Sequence, residues 1–206
     1  GVGEAAFKGA LGSWLVLGRT GGEFSEIRFA DLGLVADREY LVFDFWAKSL
    51  KGTYVNAFDP GRIDPKFNCQ VFCIREREDH PQLIATSRHI SCGGYEIRDV
   101  SWNARVLSGT SDLVAGDSYT IYILEPAGYE FQGADCDGAA VAGSVKRGLV
   151  REVTLKSDTC ETRRLILDGS TWVPAGTPVV RPERRVVRTL GAARGALPRA
   201  AAPAGS

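Results

Sequence analysis

The sequence predicts an all-β fold, an antiparallel β-sandwich of immunoglobulin-like build, and three observations predict it. Short runs rich in β-branched and aromatic residues are separated by turn signals at about every 8–12 residues. No helical period lasts three turns. The strand candidates outnumber what one layer holds comfortably, so two packed sheets are expected.

The densest apolar run is Arg38-Glu39-Tyr40-Leu41-Val42-Phe43-Asp44-Phe45-Trp46. Its length and aromatic, β-branched content mark a strand buried on both faces. Alternation puts Leu41, Phe43 and Phe45 on one face and Tyr40, Val42, Asp44 and Trp46 on the other. The first set is expected to fill the sandwich. A strand buried on both faces needs a layer on each side, so either the core is sheet on sheet or the domain packs against something larger that this chain does not supply.

Taken in order, Trp14-Leu15-Val16-Leu17 is a first strand, closed by the Thr20-Gly21-Gly22 turn. Glu26-Ile27-Arg28-Phe29 alternates, and Thr53-Tyr54-Val55 follows Gly52. The Pro-Gly and Asp-Pro pairs make Asp59-Pro60-Gly61-Arg62-Ile63-Asp64-Pro65 a loop. Val71-Phe72-Cys73-Ile74 and Leu83-Ile84-Ala85-Thr86 resume the sheet. Beyond Gly93-Gly94, half-buried alternation predicts strands at 95–100, 105–109 and 117–124, the last with Tyr119, Ile121 and Ile123 on one face. Tyr129-Glu130-Phe131 follows a Pro-Ala-Gly turn, and segments 149–155 and 162–167 are the final candidates.

At 206 residues the chain can bury a substantial core. Residues 1–170 read as one β-sandwich domain, and 171–206 as a Pro/Ala/Arg-rich tail expected to be poorly ordered. The formal net charge is zero. No global field therefore argues for nucleic acid or a membrane surface as a partner. Within that zero, residues 181–206 hold six Arg and one acid, Glu183, a balance of +5 that leaves −5 on residues 1–180. No Met occurs and the chain opens on Gly1, so a processed chain or a fragment of a longer protein is expected.

Five cysteines cannot all pair. Cys69 and Cys73 on one strand would lie roughly 13 Å apart, too far for a disulfide or a shared metal. With His80 and His89 the only imidazoles, no set has zinc-ligand spacing, and neither a metal nor a cofactor is expected. Most of the thiols read as small buried hydrophobes.

The residues yield no catalytic set. Two carboxyl groups about 5–10 Å apart would serve glycosidic cleavage, but among 25 acids some pair meets that distance by chance. Asp44, in mid-strand, is the carboxylate to single out. A structural role is preferred to a catalytic one, with Arg38 or Arg28 as a possible partner. Ser87 and His89 stand too far apart on an extended chain to be a nucleophile and its base. Trp102, beside Asn103, is the candidate for stacking on a sugar ring, with core filling as the more common fate of such a residue.

Several segments together resemble the C-terminal β-sandwich of α-galactosidase (melibiase)-like glycoside hydrolases. They are Arg28-Phe29-Ala30-Asp31-Leu32-Gly33-Leu34, the run from Arg38 to Trp46, Thr86-Ser87-Arg88-His89-Ile90 with Gly93-Gly94, Leu107-Ser108-Gly109-Thr110-Ser111, and Pro126-Ala127-Gly128-Tyr129. The resemblance covers roughly residues 14–130; its most specific parts are Tyr40–Trp46 and Thr86–Ile90. It implies a sandwich of the galactosidase C-terminal type. The catalytic acids of such enzymes lie in a (β/α)₈ barrel N-terminal to this module, so the resemblance places no catalytic residue on this chain. It implies a non-catalytic domain whose partner is that barrel, with Tyr40, Val42, Asp44 and Trp46 as the domain-interface face expected to turn toward it. A carbohydrate-binding module, with oligosaccharide as partner, and a stand-alone interaction domain are the alternatives.

Overall fold

The computed structural model describes residues 2–9, 12–21, 26–89 and 91–166. The expectations for the tail and for the boundary at residue 170 lie outside them. In chain order the strands are β1 (Val2–Gly9), β2 (Gly12–Arg19), β3 (Ile27–Arg28), β4 (Glu39–Asp44), β5 (Ser49–Val55), β6 (Ala57–Phe58) and β7 (Gln70–Glu76). They continue as β8 (Gln82–Thr86), β9 (Ile97–Asn103), β10 (Val106–Leu113), β11 (Ser118–Leu124), β12 (Ala140–Arg147), β13 (Val150–Lys156) and β14 (Glu161–Ile166). A single 3₁₀ turn, Phe29–Leu32, is the only helical element among the described residues.

The strands form antiparallel sheets in the orders β1-β2-β7-β4-β5, β12-β13-β11-β8 and β14-β10-β9, with a small β3-β6 pair. The fold is all-β and sandwich-like, as the alternation and turn spacing predict. One core unites the three large sheets. Trp14, Val16, Leu41, Phe43 and Cys73 of the first sheet join Leu83, Ile84, Tyr122 and Ile123 of the second and Ile97 and Leu107 of the third. Phe43 and Tyr122 meet with ring centroids 4.7 Å apart across that core.

A second core covers the other face of the first sheet. Leu15, Leu17, Tyr40, Val42, Phe72 and Ile74 pack there against Ile27, Phe29 and Phe58 from β3, the 3₁₀ turn and β6. Phe29 supports this layer, with its ring 4.9 Å from Tyr40 and 5.8 Å from Phe58. The two-faced burial of β4 is therefore correct, and both covering layers come from within the chain.

Several elements differ from expectation, and one strand, β1, precedes the run expected to be first. The opening strand stops at Asp44 rather than Trp46, because Asp44 Oδ1 accepts the Ala47 N–H at 3.0 Å and closes an Asx turn. Lys48, at φ 52°, completes the reversal into β5. Tyr95 lies in the turn before β9 and is exposed, not on a strand face. Residues 129–131 form no extended strand. β12, by contrast, is a strand the composition conceals, since Ala140-Val141-Ala142-Gly143-Ser144 has low β-propensity. Backbone pairing with β13 holds it at the sheet edge, exposed along its whole length.

Candidate functional site

The Thr86–His89 run, one of the two most specific parts of the resemblance, builds a buried polar knot. Glu96, only 7% exposed, is its centre. Its Oε1 accepts the Thr86 hydroxyl at 2.6 Å and the Tyr119 hydroxyl at 3.4 Å, and its Oε2 accepts the Ser91 hydroxyl at 2.7 Å. Burial, and then the charge of Glu96, push the Tyr119 phenol well above its ordinary range, so it keeps its proton and donates. Arg88 lies over the Tyr119 ring at 5.2 Å and closes an ion pair with Asp117 at 2.6 Å.

Ser87 ties β8 to β11. Its N–H donates to Thr120 O at 2.8 Å, and its Oγ accepts the Thr120 N–H at 3.0 Å. His89 faces elsewhere, its ring 4.9 Å from that of Trp46. Ser87 and His89 do not form a nucleophile–base pair.

The predicted interface residues separate. Tyr40 and Val42 are 2% and 0% exposed beneath the β3–β6 layer, so the expectation that they face a missing neighbour is corrected: the chain's own Ile27, Phe29 and Phe58 cover them. Asp44 and Trp46 leave that face at the Asx turn and are half-buried. Neither arginine proposed for Asp44 reaches it, as Arg38 pairs with Glu76 at 2.7 Å and Arg28 with Glu26 at 3.6 Å. Trp102, the stacking candidate, has one face occupied by His80, with centroids 4.9 Å apart and planes 6° off parallel. The Tyr129 ring meets it edge-on at 5.8 Å, and Trp102 packs partly against the main core.

Asp44 and Trp46 instead reach a cleft shared with the segment between β6 and β7. Its walls are Asp44, Trp46, Arg62, Asp64, Phe67 and Gln70, with Ala47 and Cys69 at the margin, and its volume is about 130 Å³. Trp46 and Phe67 stack with centroids 4.6 Å apart, 9° off parallel, while the Phe45 ring meets Trp46 edge-on at 5.0 Å.

The loop is internally tied. Asp59 Oδ1 accepts the Gly61 N–H, Asp64 Oδ1 accepts the Lys66 N–H, and Arg19 donates to Gly61 O at 2.9 Å. Gln70 Nε2 donates to Pro60 O and Arg62 O, both at 3.0 Å. Two polar atoms of the residues lining the cleft are themselves shut off from it and have no hydrogen-bond partner: Gln70 Oε1 and the Trp46 indole N–H.

Sequence reasoning found Asp44 and Trp46 and missed Arg62, Asp64, Phe67 and Gln70. The available signal was the Asp59–Pro65 stretch itself, whose two Asp-initiated turns mark an ordered loop rather than a slack one. Burial accounts for the remaining perturbed groups. Cys73 is raised by burial and then by contact with the Cys92 thiol, and Cys136 is pushed up to about 11 by burial. Arg75 is pushed down to about 10 by burial, with its guanidinium over the Trp14 ring at 4.7 Å. Among the described residues, no three His, Cys, Asp or Glu are grouped to hold a metal. Comparison with protein-family models, curated proteins and solved structures found no match to this chain.

Proposed function

We propose that this chain is a non-catalytic C-terminal β-sandwich domain of an α-galactosidase-like glycoside hydrolase, bracing a (β/α)₈ barrel of the same parent protein. The observation that carries the reading is the use made of the residues most specific to the resemblance. Tyr40–Phe43 fill two cores, and Thr86–Arg88 hold Glu96, Thr120 and Asp117 in a hydrogen-bonded knot. Residues spent on packing and on mutual hydrogen bonds are scaffold, so the module's work is mechanical.

The bracing surface is the β12–β13 hairpin. Among the described residues β12 is an edge strand that pairs with β13 alone, and Val141, Val145 and Leu149 stand exposed along it and at its turn. Covering such side chains contributes about 1.5–3 kcal/mol each when burial is complete, and an uncovered edge invites pairing with a neighbour.

Two measurements test this. The chain alone is expected to give no hydrolysis of p-nitrophenyl α-galactoside above the buffer rate; turnover by the isolated chain overturns the non-catalytic reading. Val145→Asp is expected to leave the melting temperature of this chain unchanged while lowering that of the parent enzyme. A coding sequence upstream of Gly1 without a strand–helix repeat removes the barrel from the proposal altogether.

A further inference from the structure

Cys73 and Cys92 have no role in that bracing, and packing alone does not account for the second of them. We infer that the two are a disulfide site, closed as the chain folds by exchange with a small disulfide of the glutathione class, and that the bond staples β7 to the turn between β8 and β9.

Backbone conformation is the first argument. Among the described residues, eight other than glycine have a positive φ, and seven of them are exposed. Cys92, at φ 48° and 0% exposed, is the buried one. That left-handed conformation crowds a Cβ and favours glycine. A thiol serving only as a small hydrophobe gives no reason for a side chain there. The turn nevertheless holds Cys92 in place, since its O accepts the Thr86 N–H at 2.9 Å and its N–H donates to Arg88 O at 3.0 Å. Ser91, next to it, is tied to Glu96 at 2.7 Å.

The second argument is what this conformation achieves. It brings the Cys92 thiol within hydrogen-bonding reach of the Cys73 thiol, inside the main core. Cys73 arrives from the middle of β7, flanked by Val16 of β2 and Phe43 of β4. The structure holds both residues as thiols. Closure shortens their contact to a bond of about 2.05 Å. Cys73 is held by a strand on each side, so the turn supplies the movement.

Both residues are shut off from solvent in the folded chain, so exchange takes place before the core closes. One of the two thiolates attacks a sulfur of oxidised glutathione and expels a glutathione thiolate, which takes up a proton. The other then attacks the protein sulfur of the mixed disulfide and expels the second glutathione. One protein S–S bond forms and the glutathione S–S bond breaks. The two protons and two electrons given up by the protein thiols end on two molecules of reduced glutathione.

The test uses the full chain carrying Cys69→Ser and Cys160→Ser, which removes the half-buried and the exposed thiol. At position 160 the serine oxygen still accepts from the Ala115 N–H. The chain is unfolded in urea with reductant, refolded in a mixture of reduced and oxidised glutathione, and quenched with acid. Tryptic peptides 67–75 and 89–98 are expected to be joined, with Cys136 free. The linked chain is expected to melt about 6–12 °C above the same chain refolded in reductant, the shift for a closed loop of about 20 residues in a domain of this size. Reduced glutathione is expected to open the bond in urea and to leave it closed in the native chain. Cys92→Gly suits the backbone of the turn and is expected to fold, with one melting temperature in both buffers.

Free thiols at both positions after refolding overturn the inference. So does a major disulfide in which Cys136 replaces either residue, or a linked chain that melts no higher than the reduced one. A gain in Cys92→Gly equal to that of its parent chain overturns it as well. These outcomes leave the bracing proposal untouched, since its residues lie on β12 and β13.

Discussion

Replacing Gly93 with alanine should be among the most damaging single-methyl additions in this domain. Gly93 has φ +109°, a region L-residues rarely enter, and strain of this kind costs on the order of 1–3 kcal/mol. A Cβ there would also sit 2.9 Å from Trp14 Cζ2 and Cη2 and 2.9 Å from Thr86 Cγ2. Neither neighbour can retreat. Trp14 is core and carries the Arg75 guanidinium on its ring, and Thr86 is fully buried and hydrogen-bonded to Glu96. Overpacking of a filled core adds typically ~1–3 kcal/mol, for a total of roughly 4 kcal/mol, a large share of the 5–15 kcal/mol a domain possesses. For a domain of this size that is a drop of about 8–16 °C in melting temperature.

Gly128→Ala is the control. Its φ is +91°, yet nothing lies within 4 Å of the added Cβ, so it reports backbone strain alone. Urea unfolding followed by Trp fluorescence should show Gly93→Ala losing at least twice as much stability as Gly128→Ala. Equal losses would refute the steric half of the reasoning and with it the tight seating of Trp14.

Three further outcomes are expected. Glu96→Ala removes the acceptor for Thr86, Ser91 and Tyr119 and should cost about 3 kcal/mol by urea denaturation, whereas a loss under ~1 kcal/mol would deny the knot its structural role. With Ellman's reagent the native chain should expose Cys160 rapidly and Cys69 slowly, with Cys73, Cys92 and Cys136 reacting only on unfolding; three or more fast thiols would contradict the packing. Stability should also fall on the alkaline side. Burial raises the Cys73 and Cys136 thiols in the folded state, so the unfolded chain releases those protons first, from about pH 8.5. Their contribution is whole below that pH and is lost as pH rises toward the folded values. The urea midpoint should hold steady up to about pH 8 and decline between about pH 8.5 and 9.5, below the range where Arg75 at about 10 enters, and a flat profile would remove the effect.

The sheet architecture was legible because its signal is local. β11 shows Tyr119, Ile121 and Ile123 on one face, all buried, and that alternation is readable residue by residue. Other features depend on partners far along the chain. β12 is a strand because β13 supplies its hydrogen bonds, and its own Ala, Gly and Ser residues carry no such instruction. The covering of Tyr40 and Val42 by Ile27, Phe29 and Phe58 is likewise invisible in β4, whose sequence says only that both faces must be covered. The same gap hid most of the cleft. Gln70 reads as a polar residue opening a strand, and its importance lies in the two carbonyls that hold its amide and leave its oxygen alone.

One short-range choice links the scaffold to the cleft. Had Asp44 continued the strand, Phe45 and Trp46 would have extended the two faces of β4 and the first sheet would have been two residues longer. Its carboxylate instead accepts the Ala47 N–H and turns the chain, which frees Trp46 to stack on Phe67 of the β6–β7 loop. The residue that ends β4 is therefore also a wall of the cleft, and its two roles can be separated. Asp44→Asn keeps an oxygen for Ala47, so the turn and the Trp46–Phe67 stack should persist while the cleft loses one negative charge. Asp44→Ala removes the turn contact as well, so it should loosen the seating of Trp46 in addition to changing the charge.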